Sequence, residues 1–195
     1  MRTVWLLGPT LIAALAAGPS AAQQALMIKP LAERKISQLP DGKLFWRIET
    51  FDTEEKAKSA AGPTALVAQA AGKVWLFTLG PAGAAASGTK VAEIGPLPDV
   101  SASEYLIRIN EATGAKGSIT PIHTHPGSET FYVLKGETSQ KTPTGTQQVK
   151  AGNSMVGHGS DTPMQVSSTG SEDLHSLVMF VVDASKPFSS PAKMD

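Results

Sequence analysis

From residue 90 to residue 183 the chain is a succession of short segments rich in β-branched and aromatic residues, cut by Gly, Pro, Asn, Asp and Ser clusters about every 8–12 residues. The segments fall at 90–94, 104–110, 118–124, 129–135, 147–150, 154–156, 164–168 and 174–183. Spacing of this kind is that of an all-β sandwich or barrel. Ahead of it, 44–51 predicts another strand, and 53–61 predicts two helical turns capped by Asp52 and stopped by Gly62-Pro63. Residues 64–70 and 73–79 pair as a hairpin across Ala71-Gly72, and the Gly/Ala/Ser-rich stretch 80–90 reads as a surface loop.

These pieces divide the chain into a leader (1–22), a weakly patterned N-terminal arm (23–43), a strand and short-helix extension (44–94), a β core (95–183) and a C-terminal tail (184–195) expected to fray. The leader carries Arg2, an apolar run from Val4 to Ala17, and the small residues Ser20-Ala21-Ala22 ahead of Gln23. That is the pattern of a secretory signal peptide, so the mature chain is expected in the periplasm or outside the cell. The run falls short of the roughly 20 apolar residues that span a bilayer, so no membrane association is expected once it is cleaved.

The whole chain has 195 residues, enough for one domain, with 17 Lys and Arg against 17 Asp and Glu. Without a basic excess, neither nucleic acid nor an anionic membrane is an electrostatic partner, and a small molecule or a metal fits better. Cysteine is absent, which removes disulfides, thiolate nucleophiles and thiolate-held zinc together. Any metal must be held by His, carboxylate, thioether or water.

The stretch from Gly117 to Gly136 answers that requirement. His123 and His125 are one residue apart, so on a strand both imidazoles point to one face. Pro126-Gly127-Ser128 reads as turn material, and Glu129 opens the returning strand facing the same site. Two imidazoles and one carboxylate with positions left over suit non-haem Fe(II), and also Mn, Zn or Cu. The spacing of Gly117, His123, His125, Glu129 and Gly136 resembles the first motif of the cupin superfamily, with every fixed position filled. The resemblance implies an antiparallel double-sheet jelly-roll barrel, one divalent transition metal, and pairing into a homodimer.

The second cupin motif is where the chain departs. Counting from Gly152, its metal-binding histidine falls on Pro163, or on Met164 with one residue inserted. Three completions of the site follow: water, His158 swinging in from its loop, or the Met164 sulfur, a soft donor that favours copper. His175 lies outside both motifs, and Arg108 either anchors a substrate carboxylate or pairs with Glu104. Two functional classes fit these residues: a metal-dependent, oxygenase-like enzyme acting on a small molecule, and a non-catalytic protein that sequesters a metal or small ligand.

Overall fold

A computed structural model of the chain describes residues 24–194, so the leader-like segment 1–22 lies outside the described residues. The strands in chain order are β1 (Met27–Ile36), β2 (Phe45–Phe51), β3 (Ala65–Ala70), β4 (Lys73–Gly80), β5 (Thr89–Ile94), β6 (Tyr105–Gly114) and β7 (His123–Thr124). They continue as β8 (Gly127–Lys135), β9 (Glu137–Thr142), β10 (Gly145–Lys150), β11 (Ser154–Val156), β12 (Gln165–Ser168), β13 (Leu174–Asp183) and β14 (Ser190–Pro191), with helix α1 (Glu54–Ala60) between β2 and β3.

The organising strand is β13. Its sequence, Leu-His-Ser-Leu-Val-Met-Phe-Val-Val-Asp, is apolar without a break from Leu177 to Val182 and buried along almost all of its length. Side chains alternate across a strand, so such a run needs a packed layer on each face. Leu177, Met179 and Val181 enter one core with Trp46, Trp75 and Phe77. Val178, Phe180 and Val182 enter a second with Phe131 and Val166. β13 lies at the centre of a five-stranded antiparallel sheet ordered β1-β6-β13-β8-β11. A four-stranded sheet, β3-β4-β2-β5, covers its outer face, and the sheet β10-β9-β12 faces its inner one. The two inner sheets make the antiparallel double-sheet jelly roll expected from the sequence, without closing into a continuous barrel.

Several elements differ from their sequence reading. The arm 23–43 holds a ten-residue strand, β1, which adds to the sheet edge beside β6 with a bulge between Pro30 and Ala32. Strand β9 forms at 137–142, where the sequence shows only polar residues, because Thr138, Gln140 and Thr142 are its buried face. The cap of α1 is Thr53, whose hydroxyl accepts from the Lys56 N–H at 3.3 Å, while Asp52 pairs with the Lys56 ammonium. The tail does not fray: β14 pairs with β7, and the Ala192 N–H reaches the Ile122 carbonyl at 3.1 Å.

Local chemistry explains the rest. Ala71 and Gly72 both have positive φ, 49° and 70°, the geometry of the tight turn that matches strand twist in a two-residue hairpin. Gly127 is an in-strand residue and not a turn: a Cβ there would overlap the Val181 carbonyl oxygen on β13. Buried Glu49 on β2 accepts from the N–H groups of Ser87 and Gly88 at 2.6 and 2.8 Å and from Arg47 at 2.9 Å, tying the 80–88 loop to the outer sheet. Burial pushes its carboxyl up, but these donors outweigh it and hold the carboxyl below its ordinary value.

Candidate functional site

Between the two inner sheets lies a cavity of about 380 Å³, in the size range of small-molecule sites. Register decides what faces it. Across the inner face of the five-stranded sheet, Arg108, Phe180 and Glu129 form one row and Asn110, Val178 and Phe131 the next. Strand β7 and the residue that follows it bring His123 and His125 to the same cavity, and the tail contributes Phe188 and Pro191 as a wall. Apart from Thr120 and Ser189 the rest of the lining is apolar, so its polar groups act in a poorly solvated space.

Both histidines have one nitrogen occupied. His123 Nδ1 lies 2.9 Å from the Pro121 carbonyl oxygen, and His125 Nδ1 lies 2.6 Å from that of Phe188. A carbonyl only accepts, so each Nδ1 carries the hydrogen and each neutral ring has its lone pair on Nε2. Such a backbone contact is how proteins orient an imidazole that ligates through its other nitrogen. The rings stand edge to face with centroids 4.8 Å apart, and His125 also packs on Phe180 and Phe188. Burial lowers the His125 pKa to about 4; the Phe188 carbonyl opposes this, and neighbouring positive charge, Arg108 included, adds to the lowering.

Glu129 is 3% exposed, and its Oε2 accepts from Gln140 Nε2 at 2.8 Å. Burial raises its pKa to about 8, a rise that the Gln140 hydrogen bond only partly offsets. The same Gln140 amide donates to the Met164 sulfur at 3.1 Å. Met164 is fully buried, and its backbone exchanges hydrogen bonds with His123 at 3.0 and 2.8 Å. Glu129, Gln140 and Met164 therefore form a buried chain beside the histidine strand.

The three first-motif residues thus share one cavity. As they stand they do not close round a single point: among the described residues, no three His, Asp or Glu side chains are grouped to enclose an ion. The donors fit a cation in kind, with two oriented imidazole lone pairs and a buried carboxyl that a positive charge would relieve. His158 is not brought to the cavity. It is half-buried between Gly157 and Gly159, and its Nε2 is enclosed without a hydrogen-bond partner among the described residues. Arg108 pairs with Glu33 of β1 at 2.7 Å and lies 4.2 Å over the Phe188 ring, while Glu104 pairs with Lys35. His175 pairs with Glu111 at 2.7 Å, away from the cavity.

Gln140, Asn110 and Phe188 are site residues that the sequence reading passes over. Gln140 sits on the polar strand β9, Asn110 in a strand whose neighbours look like ordinary core, and Phe188 in a Pro- and Ser-rich tail. The one signal available was the isolated aromatic at 188 within an otherwise small and polar tail.

No protein-family model matches the chain, and no curated protein matches it in sequence. Solved structures do match in part. A protein from Acidithiobacillus ferrooxidans named for sugar phosphate isomerase activity is 22% identical over 38% of this chain, with a TM-score of 0.34. A cupin-like protein from Thermotoga maritima is 13% identical over 45%, with a TM-score of 0.40. An RmlC-like cupin with a double-stranded β-helix fold from Methanocaldococcus jannaschii is 19% identical over 39%, with a TM-score of 0.36. The chain spans 49%, 65% and 70% of those three proteins' own lengths. The solved proteins to which this chain is similar include cupins, and each of these matches covers less than half of its length.

Proposed function

We propose that the protein is an exported metal-dependent enzyme of the oxygenase kind, in which His123, His125 and Glu129 hold one divalent transition metal and the adjoining cavity seats a small-molecule substrate. The observation that carries this reading is the pair of occupied Nδ1 atoms, which leaves two Nε2 lone pairs at one cavity with a buried carboxyl. A metal held there supplies Lewis-acid or redox chemistry. The remaining work falls to the chain itself. Phe180 and Phe188 keep water from His125, the Pro121 and Phe188 carbonyls fix the ring tautomers, and Gln140 orients Glu129. Without a cation nearby, Glu129 holds a proton on its carboxyl at neutral pH.

The test is elemental analysis of the protein purified without a histidine tag, beside a His123→Ala, His125→Ala double variant. The expected result is close to one equivalent of a transition metal (iron, manganese, zinc or copper) in the unaltered protein and less than about a tenth of that in the variant. A protein that takes up no transition metal at neutral pH contradicts the reading.

A second reading has its own support. The Met164 backbone pairs with that of His123, which places a soft thioether donor next to the histidine strand and gives a non-catalytic copper-holding protein as the alternative. Tightly held copper without turnover, weakened by Met164→Leu, marks that case; iron with substrate-dependent oxygen uptake marks the enzyme. Export is read from the leader-like segment 1–22, and N-terminal sequencing of the mature protein is expected to begin at Gln23.

A further inference from the structure

Asn110 lies in the middle of β6, between Pro30 on β1 and Val178 on β13. Alternation sends Ile107 and Ile109 to the outer core, so Asn110 faces inward, where it lines the cavity. It is 2% exposed, and its Oδ1 has no hydrogen-bond partner among the described residues. Such a group is destabilising where it stands, and native folds keep few of them. Its surroundings do not explain it: Val178, Phe131 and Ala112 give the amide nothing to bond. The space it faces is open, large enough for a ligand, and walled by Phe131, Phe180 and Phe188. Aliphatic and aromatic cavities of about 150 Å³ already take up benzene, and this one is larger and carries an unused acceptor.

We infer that Asn110 is the hydrogen-bonding anchor of the cavity, accepting through Oδ1 from the hydroxyl of a small phenol or aromatic alcohol whose ring lies among the three phenylalanines. The assignment rests on the cavity as a ligand pocket, one half of the function proposed above, and is independent of the metal. It gives the pocket two polar ends: the histidine and Glu129 group, and Asn110 one row away on the same sheet.

Toluene and p-cresol are the probes, nearly equal in shape and differing in the hydroxyl. Their affinities for the full mature protein are measured by calorimetry or ligand-observed NMR, as purified and after chelation, and compared with those for Asn110→Leu. The substitution is expected to shift the affinity ratio toward toluene by about tenfold, the worth of one buried hydrogen bond, in both metal states. Because it removes a buried acceptor without a partner, Asn110→Leu is also expected to melt no lower than the unaltered protein. Should leucine not be accommodated, Asn110→Ala gives the same ratio test. An unchanged ratio overturns the assignment while leaving the pocket intact. A ratio that responds to chelation but not to the substitution also overturns it, placing the hydroxyl at the histidine end. Binding of neither probe overturns both the assignment and the pocket.

Discussion

Glu129 and His125 are buried ionisable groups displaced in opposite directions, and together they set how the metal-free protein responds to pH. The folded value of Glu129, about 8, lies above its ordinary 4.5, so the fold holds an extra proton between those values. Stability contributed by that group is full below 4.5 and is lost as pH rises toward 8. For His125 the folded value of about 4 lies below the ordinary 6.5, so its contribution is full above 6.5 and is lost as pH falls toward 4. The two slopes cancel between 4.5 and 6.5, leaving a net loss from 6.5 to 8. Chelated protein unfolded with urea at pH 6.5 and again at pH 8 should show it, with a difference on the order of a few kcal/mol at most. Glu129→Gln is expected to flatten that slope, and a slope that survives the substitution assigns it to other groups. That His123, His125 and Glu129 would line one cavity was legible in the sequence, because alternation puts the two histidines on one face and the motif spacing returns Glu129 beside them. Gln140 and Asn110 were not, since a lone amide gains its role only from the strand that register places opposite it.

Among the elements, β8 and the tail hold the site in place. Gly127 lets β8 approach β13 so closely that no side chain fits, which keeps Glu129 in its row beside Phe180. Gly127→Ala is expected to cost about 3 kcal/mol or more, because backbone and not a flexible side chain blocks the new methyl group. Equilibrium denaturation checks this, and a loss of less than about 1 kcal/mol would show that β8 can shift. The tail acts through Phe188, which packs on His125 and Phe180 and receives the His125 N–H on its carbonyl. Phe188→Ala is expected to cost about 1–2 kcal/mol, since the ring is half-buried, and to raise the His125 pKa toward 6.5 by letting water in. An imidazole titration followed by NMR reads the second effect; an unmoved pKa would mean that Phe188 does not shield the ring. Most strands declare themselves by apolar alternation or, as β13 does, by an unbroken apolar run. The polar β9 and the charged edge strand β1 do not: the buried face of β9 is itself polar, and β1 stays largely exposed and is held by its pairing with the distant β6.

At the scale of the molecule, β13 feeds both cores, so the outer four-stranded sheet and the jelly roll should unfold as one unit. Trp46 and Trp75 both lie in the outer sheet, so fluorescence reports that layer while far-UV circular dichroism reports every strand. Leu177→Ala, on the outer face of β13, is expected to cost about 2–5 kcal/mol and to move both signals together. Separate midpoints would show that the outer sheet folds independently. The same arrangement gives the site its rigidity, because Glu129 and Asn110 stand on strands hydrogen-bonded directly to β13. The claim that His123, His125 and Glu129 hold one ion is tested most directly by X-ray absorption at the cobalt edge of protein loaded with Co(II). The account predicts one cobalt per chain with two imidazole nitrogens, oxygen in the remaining positions and no sulfur, and loss of that signature in the His123→Ala, His125→Ala variant. A protein that binds no cobalt, or binds it unchanged in the double variant, would contradict it.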